Sequence, residues 1–232
     1  MARPFRIFVT ATDTGVGKTQ TASALLSLLA DAGLNPAPFK PYESGCEDLR
    51  APADAQALKA AARSADPLER ITPHRFKLPV APGVAALRQG KVPPFEKTLA
   101  AYRSFEGRAL VAEGAGGLFV PLDPERDVID LIQALKLPVL LVARLGLGTL
   151  NHTALSLEAL QRRRIPVRAV LLSDATESTD PSKRDNPRLL VERHGVPVLG
   201  PVRFTPHPLR RHQAFRRALR PLVEEAVAKL QR

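Results

Sequence analysis

The stretch Ala11-Thr12-Asp13-Thr14-Gly15-Val16-Gly17-Lys18-Thr19 constrains this chain more than any other. It follows a short apolar run, Ile7-Phe8-Val9, and opens onto a segment that places Ala22, Leu25, Leu26 and Leu29 on one helical face. Strand, glycine-bearing turn ending Gly-Lys-Thr, then amphipathic helix is the context a phosphate-binding loop requires. Glycines let backbone N–H groups turn towards a triphosphate, and the following helix N-terminus adds partial positive charge. Asp13, Thr14, Gly15, Val16, Gly17, Lys18, Thr19 and Gln20 form the expected nucleotide-contacting set. Lys18 can reach the β- and γ-phosphates, and the Thr19 hydroxyl can ligate Mg²⁺. The common spacing of such loops puts a first glycine at position 12, which is Thr12 here.

The rest of the chain alternates strand-like and helix-like segments. Ala37 to Lys40 reads as a short strand running into the turn Pro41–Gly45, and Ala53 to Ala62 as a helix with Asp54 in its first turn. Prolines punctuate the next stretch, with short helices expected over Val84–Arg88 and Phe95–Ser104. Ala109 to Ala112 is an apolar run suited to a buried parallel strand, ending in Glu113-Gly114-Ala115-Gly116-Gly117. Helices follow over Arg126–Leu135, Leu150–Arg163 and Pro187–His194, with strands over Pro138–Ala143, Val167–Leu172 and Val196–Leu199. The segment from Ala175 to Asp185 is polar and irregular, and two basic helices close the chain. This alternation predicts one doubly wound α/β domain with a mainly parallel sheet, spanning residues 1–232. Ligands of such sheets gather beyond the carboxyl ends of the strands. Lys18, Thr19, Lys40, Ser44, Glu113, Ser173 and Asp174 all fall at such ends.

Bulk properties exclude several classes. No apolar stretch approaches the roughly 18 residues of a membrane span, and no signal-peptide pattern precedes the first strand. Cys46 is the single cysteine, so disulfides within the chain and cysteine-based zinc sites are out. The cytosol is the expected compartment. The net charge of +11 raises the question of nucleic acid, but there is no Trp and only two Tyr to stack on bases. Much of the excess is Arg in the last thirty residues, expected on the solvated face of terminal helices. A basic surface suits anionic nucleotides equally well, so neither a nucleic-acid nor a membrane partner is expected.

Lys40, ending a strand beside the phosphate loop, fits a catalytic role alongside Lys18: stabilising charge on a transferring phosphoryl group. Thr19, Asp54 and Glu113 make an oxygen-rich set for Mg²⁺, completed by water and phosphate. Asp127 and Asp130 are expected as surface charges on a helix, and His152 as structural. No Gly-x-Ser-x-Gly elbow occurs, and Cys46 has no base partner in sequence, which argues against a covalent enzyme intermediate.

The pattern resembles dethiobiotin synthetase, an ATP-dependent family of biotin biosynthesis. The resemblance is carried by Thr12–Thr19, Lys40-Pro41-Tyr42-Glu43-Ser44-Gly45, Asp54, Glu113-Gly114-Ala115-Gly116-Gly117 and Leu145-Gly146-Leu147-Gly148-Thr149-Leu150-Asn151-His152. That family's phosphate loop is one residue longer than the ordinary one, which accounts for Thr12. The resemblance implies ring closure on 7,8-diaminononanoate with CO₂, using ATP and Mg²⁺. It implies that Thr14, Lys40 and Ser44 meet the carbamate or diamine. It also implies that Thr149 and Asn151 hold the substrate carboxylate across a homodimer interface. Glu113, Gly114, Ala115 and Gly116 would border the nucleotide. Ser173-Asp174 would stand where the family reads adenine with an asparagine.

Two enzyme and switch classes share parts of this pattern. Cobyrinic acid a,c-diamide synthases carry an added amidotransferase domain with a nucleophilic cysteine, for which this chain has no room. Partitioning ATPases of the ParA/MinD type carry an early loop lysine where this chain has Asp13.

Overall fold

The computed structural model describes residues 4–177 and 179–230. β1 (Arg6–Ala11) leads through the phosphate loop into α1 (Lys18–Asp31). β2 (Ala37–Phe39) and β3 (Tyr42–Ser44) follow, then α2 (Ala53–Ala62), α3 (Leu68–Ile71) and β4 (His74–Phe76). α4 (Pro82–Arg88) and α5 (Phe95–Arg103) precede β5 (Leu110–Gly117) and α6 (Val128–Leu135). The remainder is β6 (Val139–Arg144), α7 (Thr149–Arg162), β7 (Val167–Ser173), α8 (Asn186–His194), β8 (Val198–Val202) and α9 (Pro208–Leu230).

Six of the strands form a parallel sheet in the order β2-β5-β1-β6-β7-β8. The order turns about β1: the chain builds outward to β2 and β5 on one side, then to β6, β7 and β8 on the other. Ligands of open parallel sheets bind at the carboxyl ends by such a reversal, and the phosphate loop leaves β1 at that point. Both faces of the sheet are covered, as the apolar runs demand. Ile7, Val9, Val111, Leu140 and Val142 pack under α1, α2 and α9. Their neighbours Phe8, Leu110, Ala112, Leu141 and Ala143 point to the other face, with α6 and α7. The two-residue period of a strand produces that division.

Four local expectations change. The Pro41–Gly45 segment is not only a turn, because Tyr42–Ser44 forms a parallel pair with His74–Phe76 in a separate two-stranded sheet. β5 does not stop at Ala112 but runs through Glu113 to Gly117, with Glu113 in register with Val9. Asp127 and Asp130 are not idle surface charges: they form a reciprocal capping box that starts α6, with the Asp127 N–H donating to Asp130 Oδ2 at 2.9 Å. The two closing helices are one, 23 residues long with Pro221 inside it. Phe215, Leu219, Leu222 and Val223 on that helix dock on the α1 side of the sheet, and this burial outweighs the local break a proline introduces. The polar 175–185 segment contains a 3₁₀ turn at Pro181–Arg184, and Ser178 within it lies outside the described residues. Among the described residues no helix is long and apolar enough to cross a membrane.

Candidate active site

The N-terminus of α1 is built to receive an anion. Gly17 precedes it in the left-handed conformation at φ 106°, no side chain caps the helix, and no acid sits in its first turn. α6, by contrast, opens on the Asp127–Asp130 capping box. The first N–H groups of α1 therefore have no side-chain cap among the described residues and are open to an anion. Gly17 has a second constraint: a Cβ there would lie 3.1 Å from the Phe215 ring and 3.2 Å from Ser173 Oγ. Lys18 bends back over the loop, its Nζ donating to the Asp13 carbonyl at 3.1 Å. The Asp13 carboxylate accepts the Thr14 N–H at 2.7 Å and pairs with Arg144 at 2.8 Å, which pins the loop to the end of β6.

Beside this turn lies a charge cluster centred on buried Lys40 and Glu113, with Thr19 and Asp54 partly exposed at its edge. Lys40 Nζ donates to Glu113 Oε1 at 2.6 Å and pairs with Asp54 Oδ2 at 2.9 Å. Thr19 Oγ1 donates to the same Glu113 oxygen at 2.9 Å. Burial works against the Lys40 ammonium, yet the Glu113 and Asp54 carboxylates outweigh it and hold its pKa above the ordinary lysine value. Burial, opposed by Glu113 and reinforced by Lys40, pushes Lys18 down to about 8. Asp54 is likewise burdened by burial, but Lys40 keeps its pKa below the usual carboxylate range. Asp54 owes its position to Glu43, whose carboxylate accepts the N–H groups of Asp54 (2.9 Å) and Ala55 (3.0 Å).

These groups open on one cavity of about 650 Å³. Thr14, Gly15, Gly17, Lys18, Thr19 and Gln20 form its floor, and Lys40, Ser44, Asp54, Glu113, Ala115 and Gly116 one wall. Other sequence-derived candidates lie elsewhere. Val16 is packed in the core and Gly114 sits against Phe8. Asp13 borders a second cavity of about 300 Å³ with Thr12, Phe119 and Leu155. Ser173 is buried beneath Gly17, and Asp174 pairs with Lys183 at 2.6 Å; neither borders the main cavity. Thr149 is fully buried, with its hydroxyl 3.3 Å from that of Thr153. Asn151 is exposed in the first turn of α7.

Sequence reading missed the cavity's apolar wall of Tyr42, Pro79–Pro82 and Val120, and its far end at Ala175 and Arg211. Arg211 is among the arginines that the sequence places on a solvated face. Only the recurring apolar residues among the prolines hinted at the former, and nothing local signals the latter.

The residues fit Mg²⁺. Glu113 is 1% exposed, yet its Oε2 has no hydrogen-bond partner among the described residues. A buried carboxylate oxygen left unpaired is costly, and a cation beside it would remove that cost. Carboxylate and hydroxyl oxygens are the hard donors Mg²⁺ takes, and two or three protein ligands leave room for phosphate and water.

Comparison with known proteins agrees with this geometry. The AAA domain family model matches residues 6–207. A protein of Anaeromyxobacter sp. (strain Fw109-5) named ATP-dependent dethiobiotin synthetase BioD is 46% identical over 183 residues, which span 78% of this chain and 82% of that one. The protein of the same name from Bacillus subtilis (strain 168) is 36% identical over 195 residues, or 83% and 84% of the two chains. Among solved structures, the MinC:MinD cell division protein complex of Aquifex aeolicus contains a chain with the same fold. Its TM-score is 0.53 at 11% identity, with 95% of this chain and 96% of that one covered. Motif order, site geometry and identity over four-fifths of the length lead to one assignment: the chain belongs to the dethiobiotin synthetase family, on a phosphate-loop α/β fold.

Proposed function

We propose that this protein is an ATP-dependent cyclo-ligase that closes the ureido ring of dethiobiotin from 7,8-diaminononanoate and CO₂. The observation that carries the reading is the junction of an uncapped helix N-terminus with the Lys40–Glu113–Asp54–Thr19 cluster in a single cavity. No nucleophilic side chain takes part. Cys46 is buried, with its thiol turned to the Glu43 carbonyl at 3.6 Å, so phosphoryl transfer runs between substrates.

One amine of the substrate adds CO₂ to form a carbamate. A carbamate oxygen attacks the γ-phosphorus, the bond to the ADP oxygen breaks, and a carbamic–phosphoric anhydride results. The second amine then attacks the carbonyl carbon. Phosphate leaves with the former carbamate oxygen, and the nitrogen gives up its proton. The chain's contribution is positioning and charge. Lys18 and the α1 N–H groups hold the β- and γ-phosphates. Lys40, kept charged by its two carboxylates, meets the oxygens on which charge builds as the phosphoryl group moves. Thr14 and Ser44 hold the carbamate end, and the apolar Tyr42, Pro79–Pro82 and Val120 wall suits a methylene chain while excluding water. Thr19, Asp54 and Glu113 would hold Mg²⁺, which would supply positive charge to offset that of the phosphates.

A homodimer belongs to the same reading. Phe119 and Leu155, which line the second cavity, are 64% and 58% exposed, and Leu147, just before α7, is 80% exposed. A partner covering them would bring its Asn151 helix turn towards the substrate tail. Sedimentation at micromolar concentration should give twice the 25.2 kDa chain mass, and a monomer would refute the dimer.

The reaction is tested by incubating the protein with diaminononanoate, bicarbonate, Mg²⁺ and ATP. The cyclic urea should appear by mass with one ADP formed per ring. Its absence, or its formation without ATP, would refute the assignment.

A further inference from the structure

The main cavity spans both sides of β1. Lys40, Asp54 and Glu113 lie on the β2–β5 side, and Ala175 and Arg211 on the β7–β8 side. With the γ-phosphate at Lys40 and the phosphate chain along Gly15–Thr19, the nucleoside must extend towards Arg211. That arginine is one helical turn before Phe215, the residue packed against Gly17, so the stripe that docks α9 also carries Arg211 to the cavity rim. Its guanidinium lies 5.7 Å from the Phe204 ring centre, which orients its plane, and it pairs with no carboxylate among the described residues. A half-buried cation without a counter-ion, facing a cavity that ends in phosphate donors, is available to a ligand.

We infer that Arg211 holds the nucleoside end of the nucleotide and that the site, as a result, does not strongly prefer ATP over GTP. This rests on the cavity being the nucleotide site. Arginine offers only donors. It rewards acceptors on a purine edge, guanine O6 and N7 together or adenine N7 alone, and gives nothing to the adenine 6-amino group. Gln20 carries an amide that presents either a donor or an acceptor, so it discriminates neither base. Ser173 and Asp174, which could have accepted from that amino group, are turned away beneath Gly17 and towards Lys183.

Calorimetric titration of the full-length chain with MgADP, MgGDP and magnesium tripolyphosphate tests this. GDP should bind no more than about tenfold more weakly than ADP. Arg211→Ala, a helix-compatible change, should weaken both by roughly tenfold or more and leave tripolyphosphate unchanged. Preference for ADP by more than about tenfold, or an Arg211→Ala variant with unaltered affinities, overturns the inference. Equal weakening of tripolyphosphate overturns it too, by placing Arg211 on the phosphate chain. Failure of every ligand to bind the wild-type chain removes the nucleotide site as well, which separates that failure from the others.

Discussion

Glu43 accepts the backbone N–H of Ala55 at 3.0 Å and so caps a helix that begins well downstream of it. Pro52, the residue at the cap position, has no side chain that could do this. The contact ties the strand that follows Lys40 to the helix carrying Asp54, and thereby sets the 2.9 Å Lys40–Asp54 pair.

Glu43→Ala should cost about 2 kcal/mol of stability, the usual worth of a lost charged cap with two buried N–H groups left open. It should also raise the concentration of MgATP needed for half-maximal turnover. Urea unfolding and steady-state kinetics check both. Unchanged values would detach Glu43 from the site.

Lys40→Ala leaves the Glu113 and Asp54 carboxylates facing each other without their cation. Breaking a buried pair in this way costs about 3–5 kcal/mol. The loss of charge stabilisation should slow product formation by roughly 10²–10³. Single-turnover rates, measured where circular dichroism shows the variant folded, decide the point. Full turnover would remove Lys40 from the mechanism.

Gly17→Ala should act on both fold and ligand. At φ 106° a side chain is strained by about 1–3 kcal/mol, and the new methyl presses on Phe215 and Ser173. Nucleotide affinity should fall at least tenfold. Gly33→Ala is the control: φ is also positive there, but a Cβ meets nothing within 4 Å, so stability should drop and nucleotide affinity should not. Equal nucleotide affinity in both variants would contradict this.

His74 gives the fold an acid-side weakness. Burial, with the Lys97 charge adding to it, pushes its pKa from 6.5 down to about 4. The ring sits stacked on Tyr42 with Nε2 2.9 Å from Thr98 Oγ1. The unfolded chain therefore binds the proton more readily. Stability from this residue is complete above pH 6.5 and declines as pH falls towards 4. The loss between pH 7 and pH 5 should be on the order of 2 kcal/mol. Urea unfolding of wild type and His74→Gln at both pH values should show the steeper loss in the former, because burial and Arg216 also lower the pKa of His212 in both; equal losses would clear His74.

Much of the site lay open in the sequence because its chemistry is local. Gly17, Lys18 and Thr19 must be adjacent to turn a strand into an anion-binding helix, and adjacency is what a sequence displays. The sequence places α2 at Ala53–Ala62, and the structure bounds it there, between Pro52 and a left-handed Arg63. Tyr42–Ser44 was different. Its strand exists only through pairing with His74–Phe76, a relation that no period within five residues can reveal. Pro221 reads as a helix end, yet α9 continues through it because Leu219, Leu222 and Val223 are buried on both sides of the proline.

The sequence by itself determined the phosphate loop, the α/β alternation, the family and the identity of the charged groups. Residue type and short-range spacing are enough for these. Only the tertiary structure decided that Glu43 caps α2, that Glu113 keeps one oxygen unpaired, that Ser173 and Asp174 turn away from the cavity, and that Arg211 reaches it. Each of those depends on how distant segments pack across a shared core, and the free energy of that packing is not written in any one of them.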